Sequence, residues 1–232
     1  MKKINLIKGI ILLVASVALS SCSSDSSGES NGTTSGNYFP MAVNNKWNYT
    51  NGTANTEVNL IGTTTFNNNT YYEMTDTNTD SQINIQVWMN KRGASYYQKS
   101  SVSTQTQGST TIVIDGFEMK MLRDDLQVGE TWNGSAKPKV TYSGSSGSGT
   151  TYANISYEGH VTARDVSVTL GGITYTNVIK TEMIITETVN SQTVTISGES
   201  WFAKDIGLIY DSSTMSTDNI TKTRYLTSYT LH

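Results

Sequence analysis

A chain of 232 residues carrying 16 basic and 19 acidic side chains, two histidines and one cysteine is long enough for one large or two small domains. Its slight acidity, with Lys and Arg scattered, excludes a nucleic-acid binder, which relies on clustered cations, and a single cysteine excludes an intramolecular disulfide. Charged residues reach only 15 %, proline occurs twice and tyrosine 13 times, a mixture rich in Thr, Asn, Gly and Ser that favours strands joined by tight turns.

The chain opens on Lys2, Lys3 and Lys8, followed by an apolar run from Ile10 to Leu19 and by Leu19-Ser20-Ser21-Cys22. A cationic start, an apolar core and small residues make a secretory signal. The run is about half of the ~20 apolar residues that a bilayer span requires, so length argues against a transmembrane helix. Leu19 to Cys22 resembles the lipobox of bacterial lipoproteins. That resemblance implies cleavage after Ser21, a lipid (diacylglycerol and palmitate-type acyl chains) on Cys22, and a tethered, extracytoplasmic remainder. A cleaved signal without lipid would leave an unpaired cysteine in an exported chain.

Residues 22–36 after the signal (1–21) contain no large apolar side chain and read as a flexible Ser/Gly-rich tether. Ser23 is not the aspartate that retains many Gram-negative lipoproteins at the inner membrane, so the resemblance implies the outer membrane. Asp25 and Glu29 resemble the acidic surface-export signal of Bacteroidetes lipoproteins without its full cluster, which leaves the periplasmic or surface face open.

Order is expected from Asn37, giving one β domain over 37–232. Tyr38-Phe39-Pro40-Met41, the Val43-Asn44-Asn45 turn and Trp47-Asn48-Tyr49 resemble the opening motif of uncharacterised lipoproteins, chiefly from Bacteroidetes. Asn44 stands where those proteins carry glycine, and asparagine tolerates the left-handed conformation better than most residues. Glu199-Ser-Trp201-Phe202-Ala203-Lys-Asp205-Ile-Gly207-Leu208 resembles the closing motif of the same family, with Asp205 at a usual glycine. Val128-Gly129 ahead of Trp132 repeats the first pattern in part and reads as a turn leading into a strand with a buried Trp rather than as a duplication.

Between and beyond the motifs, alternation predicts strands at Glu57–Ile61, Tyr71–Thr75, Ile83–Met89, Thr111–Ile114 and Phe117–Leu122, then longer ones at Ile155–Leu170, Ile173–Val189, Thr193–Lys204 and Ile220–Leu231. In the third, Ile83, Ile85, Val87 and Met89 share one face, the period of a half-buried strand. Asn67-Asn68-Asn69, Lys91-Arg92-Gly93, Gly171-Gly172 and Asn190-Ser191 supply hairpin connections. Ser143 to Gly149 has the composition of the tether and reads as a long surface loop.

Catalytic metal needs clustered ligands, whereas His160 and His232 stand apart and Cys22 is assigned to lipid. There is no nucleophile elbow, phosphate loop or dinucleotide fingerprint. Asp124, Asp125 and Asp205 read as solvated turn residues rather than paired carboxylates, since neighbours in a strand point to opposite faces. In Tyr71-Tyr72 and Tyr96-Tyr97 one ring of each pair is expected in the core, leaving the other as plain surface or as a platform for a sugar or partner. Trp47 and Trp201 are expected as buried anchors.

These readings predict an all-β fold, a large twisted antiparallel sheet in meander order resembling the lipoprotein-carrier-like half-barrels, with a closed barrel or β-sandwich as the alternative. The expected role is a non-catalytic binding or structural lipoprotein of the cell envelope, anchored to the membrane through Cys22. Glycan, apolar ligand or envelope protein are the partners considered, with no cofactor and no nucleic acid. The rivals are a carboxylate-dependent hydrolase of glycans or esters and an adhesin or glycan-binding module.

Overall fold

The computed structural model describes residues 32–76, 83–145 and 147–232. The signal 1–21, Cys22 and the tether as far as residue 31 lie outside the described residues. The regular elements are strands: β1 (Lys46–Thr50), β2 (Asn55–Phe66), β3 (Asn69–Asp76), β4 (Ile83–Asn84), β5 (Val87–Arg92) and β6 (Ser95–Ser100). They continue with β7 (Ser103–Gln107), β8 (Thr110–Ile114), β9 (Glu118–Arg123), β10 (Thr131–Ala136), β11 (Lys139–Gly144) and β12 (Gly147–Tyr152). The longest follow: β13 (Asn154–Leu170), β14 (Ile173–Val189), β15 (Gln192–Ala203), β16 (Gly207–Met215) and β17 (Thr221–Thr230).

Twelve strands form one antiparallel sheet in the order β10-β13-β14-β15-β16-β17-β1-β2-β3-β5-β6-β9, and five form a smaller one, β12-β11-β8-β7-β4. The expected large meander is present. Its hairpins turn where the side chains allow positive φ: Asn67 and Asn68, Gly171 and Gly172, and Asn190 and Ser191 all have it. Asn44, in place of glycine, adopts φ 76°, as its tolerance of the left-handed region allows.

Two local readings change. Ile83–Met89 is not one strand: β4 joins β7 in the small sheet, β5 joins β3 and β6 in the large one, and residues 85 and 86 break between them. Alternation alone cannot show that a strand changes sheets. Ser143 to Gly149 is not a loop but the tip of the β11–β12 hairpin, with Tyr142 opposite Gly149 and Gly144 opposite Gly147. Backbone pairing needs no apolar side chain, and the Tyr142 ring covers Gly149, where an added Cβ would lie 2.5 Å from the phenol oxygen.

A sheet of twelve strands curls rather than staying flat, and here its edges β10 and β9 come back to face each other. No ladder joins them; side chains do. Trp132 Nε1 on β10 donates to Lys120 O on β9 at 2.9 Å, and Lys120 N–H donates to Tyr157 Oη at 3.1 Å. Each ring lies over the glycine opposite it, Trp132 over Gly159 and Tyr157 over Gly134.

The interior is filled. Trp47, Tyr49, Leu60, Met119, Leu122, Trp132, Ile155, Ile179 and Ile209 share one buried cluster with Ile112, Ile114 and Val140 of the small sheet. The two sequence motifs meet in it: Trp47 Nε1 donates to Ile206 O at 2.7 Å and the Tyr49 hydroxyl to Leu208 O at 2.9 Å. Phe39 stacks on Trp47 with centroids 4.9 Å apart. Trp47 is the buried anchor expected, but Trp201 is not: it lies half-buried, against Tyr210 at 4.5 Å and under Lys180 Nζ at 3.5 Å. Phe202, in phase with the buried Val194 and Ile196 of the same strand, takes the buried place.

Candidate binding site

The carboxylate read as a solvated turn residue, Asp124, is fully buried at 0 % exposure. It follows β9, and residues 34–36, assigned by composition to the tether, lie across it. Thr34 Oγ1 and Ser35 N–H each donate to its carboxylate at 2.7 Å, and Lys91 Nζ stands 3.3 Å from Oδ2. Ser35 Oγ donates to its main-chain oxygen. Arg164 donates to Asp124 O at 2.7 Å, Leu126 O at 2.8 Å and Ser35 Oγ at 2.6 Å. The sequence signal was weak, because a polar stretch without apolar residues gives no hint that its hydroxyls and amides will cap a buried acid.

Tyr96 completes this clamp. Its hydroxyl accepts from Tyr38 N–H at 2.8 Å and lies 3.1 Å from both Gly36 O and Asp124 Oδ2, to one of which it donates. Burial, reinforced by the Asp124 charge, pushes the Tyr96 hydroxyl far above the usual phenol range. Downstream, Asp205 N–H donates to Asn37 O at 2.6 Å. The neighbouring acid, Asp125, is paired with Arg123, Oδ2 to Nη2 at 2.7 Å, and that guanidinium holds its carboxyl below the ordinary range. Asp124, Asp125 and Asp205 therefore do not converge on a shared groove.

Asp124→Asn is expected to weaken this clamp. The amide keeps the shape but loses the charge and offers donors where acceptors are needed, at a cost of ~1.5–3 kcal/mol for hydrogen bonds to a charged group. Amide hydrogen exchange checks it: Ser35 and Tyr38 should lose protection while β13 to β15 keep theirs. Unchanged protection at Ser35 would contradict the role given to Asp124.

Beside the clamp lies a cleft of about 500 Å³ lined by Asn37, Phe39, Met41, Asn68, Asn69, Thr70, Tyr72, Asn90 and Lys91, within the ~300–1,000 Å³ of ligand pockets. The segment leading from the clamp forms one wall, the β2–β3 turn another, and β3 and β5 the floor. Of the tyrosine pairs, Tyr71 and Tyr96 are buried as expected, whereas Tyr72 is half-buried at the cleft and Tyr97 lies half-buried beneath Arg92 at 3.5 Å. Asn90 is buried, donates to Thr70 O at 2.6 Å and leaves Oδ1 without a partner.

Elsewhere, Met119, Met121 and Trp88 are buried and Met74 and Met183 pack partly against the core, so the ligand face is not a hollow interior. Among the described residues no three His, Cys, Asp or Glu side chains group to hold a metal ion; His160 Nε2 stands 3.5 Å from Glu182. Glu187, on β14 between Ile155 and Val194, is 3 % exposed, and neither carboxyl oxygen has a partner. Burial pushes its carboxyl up to about 8. It does not line the cleft.

No protein-family model matches the chain, and no curated protein does. Two solved structures are similar: a candidate lipoprotein from Parabacteroides distasonis, at 11 % identity and a TM-score of 0.46, and a candidate exported protein with a YmcC-like fold from Bacteroides fragilis, at 10 % identity and 0.45. Each similarity covers 83 % of this chain and 98 % of the other. Overlaps this loose carry no argument about ligand, activity or anchoring.

Proposed function

We propose that this chain is a lipid-anchored protein of the bacterial envelope, held to the outer membrane through Cys22, whose folded domain binds a ligand or partner without turning it over. The observation that carries the binding reading is the chemistry of the cleft: amides, the hydroxyls of Thr70 and Tyr72, aromatic rings and a thioether, with its one charged lining group, Lys91, already engaged by Asp124. Such a lining holds and orients a ligand. Proton transfer or nucleophilic attack asks instead for a titratable group free to exchange protons with the bound molecule.

The anchoring reading is supported by the lipobox and by the clamp. Residues 34–36 are tied to the buried Asp124 by part-buried hydrogen bonds, so a pull on the tether would be borne by those bonds instead of by a loose end. Cys22→Ala should release the protein from the membrane fraction, because several acyl chains anchor stably where one is marginal, at ~0.8 kcal/mol per buried methylene. Mass spectrometry of the mature N-terminus checks the chemistry; a chain beginning elsewhere than an acylated Cys22 would sink the anchor. Glycoside or ester turnover lost on a single Asp or Glu substitution would favour the hydrolase instead.

A further inference from the structure

We propose that the cleft takes a neutral sugar, a short uncharged glycan stacked on Tyr72 and hydrogen-bonded by the asparagines around it. The inference rests on the binding reading above and names the ligand class. Charge is the first observation. The Lys91 ammonium has three protons and three partners: Thr34 Oγ1 at 2.8 Å, Gly36 O at 2.5 Å and Asp124 Oδ2 at 3.3 Å. The first two are hydrogen bonds and the third is an ion pair, so the buried Asp124 carboxylate behind it cancels the ammonium charge that an anionic ligand would otherwise meet. A neutral occupant fits this electrostatic balance.

The lining chemistry is the second observation. Asn37 and Asn68 offer amide donors and an acceptor, matching sugar hydroxyls, which donate and accept together, while Asn69 and Asn90 hold Asn67 O and Thr70 O through their amide N–H groups. Asn68 is carried to the rim by the β2–β3 turn, whose residues Asn67 and Asn68 have φ of 48° and 63°, and its side chain is exposed there. An alkyl chain in the same place would leave these amides facing hydrocarbon without partners, which is unfavourable.

Asn90 is the third. It is 4 % exposed, lines the cleft and holds its amide N–H on Thr70 O, while Oδ1 is an acceptor with no donor. Buried acceptors are almost always satisfied; with Oδ1 itself closed off from solvent, a hydroxyl hydrogen of the bound sugar supplies the missing donor once the amide turns toward the cleft. Tyr72 is the flat apolar counterpart: Phe39 is fixed against Trp47, whereas Tyr72 is half-buried and free on its cleft side, a ring suited to the C–H face of a pyranose.

The test uses the full-length lipidated chain in a detergent without a sugar headgroup. Maltotriose, cellotriose and N-acetylchitotriose are titrated, with trigalacturonate and dodecanoate as the anionic and apolar comparisons, and binding is read by saturation-transfer NMR and calorimetry. At least one neutral trisaccharide should bind, and Tyr72→Ala on the floor and Asn68→Ala at the rim should each weaken it roughly tenfold or more, ~1.4 kcal/mol, with the thermal midpoint unchanged for Asn68→Ala and the far-ultraviolet strand spectrum retained for Tyr72→Ala. Asn90→Ala should do the same if it folds. Absence of binding by all three neutral sugars, or binding indifferent to both substitutions, overturns the proposal. Preference for trigalacturonate or dodecanoate overturns it too, yet leaves the binding function standing. Cleavage of a bound trisaccharide would instead overturn the non-catalytic reading while keeping the ligand class.

Discussion

Glu187→Gln will stabilise the folded domain at neutral and alkaline pH and flatten its dependence on pH. The carboxyl is buried with no partner for either oxygen, so the folded state keeps it protonated up to about 8 rather than the ordinary 4.5. Below about 4.5 both folded and unfolded chains hold the proton and the stability is fully present. Between 4.5 and 8 only the folded chain holds it, so each pH unit removes up to ~1.4 kcal/mol, and above 8 both are ionised and the loss is complete. Over the whole window the loss is on the order of 4–5 kcal/mol, a large part of the stability of an ordinary domain. Glutamine fills the same space and does not ionise. Urea unfolding at pH 5, 6, 7 and 8 should show parent and variant diverging as pH rises; parallel curves would mean that Glu187 finds a partner or water in solution.

The second large effect is expected at the seam between β9 and β10. Trp132→Ala removes a fully buried indole and its bond to Lys120 O and should cost ~3–5 kcal/mol. Gly159→Ala should cost comparably for a different reason: the new methyl would lie 2.3 Å from Trp132 Cζ2, so the indole must leave its seat. The two losses are one loss counted twice. In a double-mutant cycle Gly159→Ala should therefore be nearly neutral once Trp132 is alanine, since directly contacting residues couple strongly. Additive costs would show that the seam is held by something other than this pair.

Much of the fold was legible because local chemistry and sheet position agree. Gly171-Gly172 and Asn190-Ser191 sit where only permissive residues can turn, and the runs between them alternate long enough to fix β13, β14 and β15. The small sheet was hidden because β12 pairs through its backbone and contributes Ser, Gly and Thr, the same residues that make a tether. The site was hidden for a related reason. Asp124 is covered by residues 34–36, a contact between positions some 90 apart in the chain, together with Lys91, Tyr96 and Arg164, and no local pattern encodes that convergence. Tyr72 was visible as half of a pair, but not that it, rather than Tyr97, faces a cleft. The Trp201 reading failed because a period of two from Val194 and Ile196 puts Phe202, not Trp201, on the core face of β15, and the size of the indole was given more weight than that phase.

The pairing of β1 with β17 has a consequence for how the molecule is made. Asn45, beside β1, accepts from the main-chain N–H of His232 across 187 residues of sequence, and β1 stands in the middle of the large sheet with β17 on one side and β2 on the other. A chain made from its N- to its C-terminus can assemble β2 to β9 as local hairpins, and later β13 to β17, yet the two halves stay separate until β17 arrives. Closing so distant a pair is slow, and during the wait β1 offers an open edge. Such an edge invites pairing with the wrong strand, so the interval between delivery of β2 and delivery of β17 is when a holdase chaperone would have most to protect.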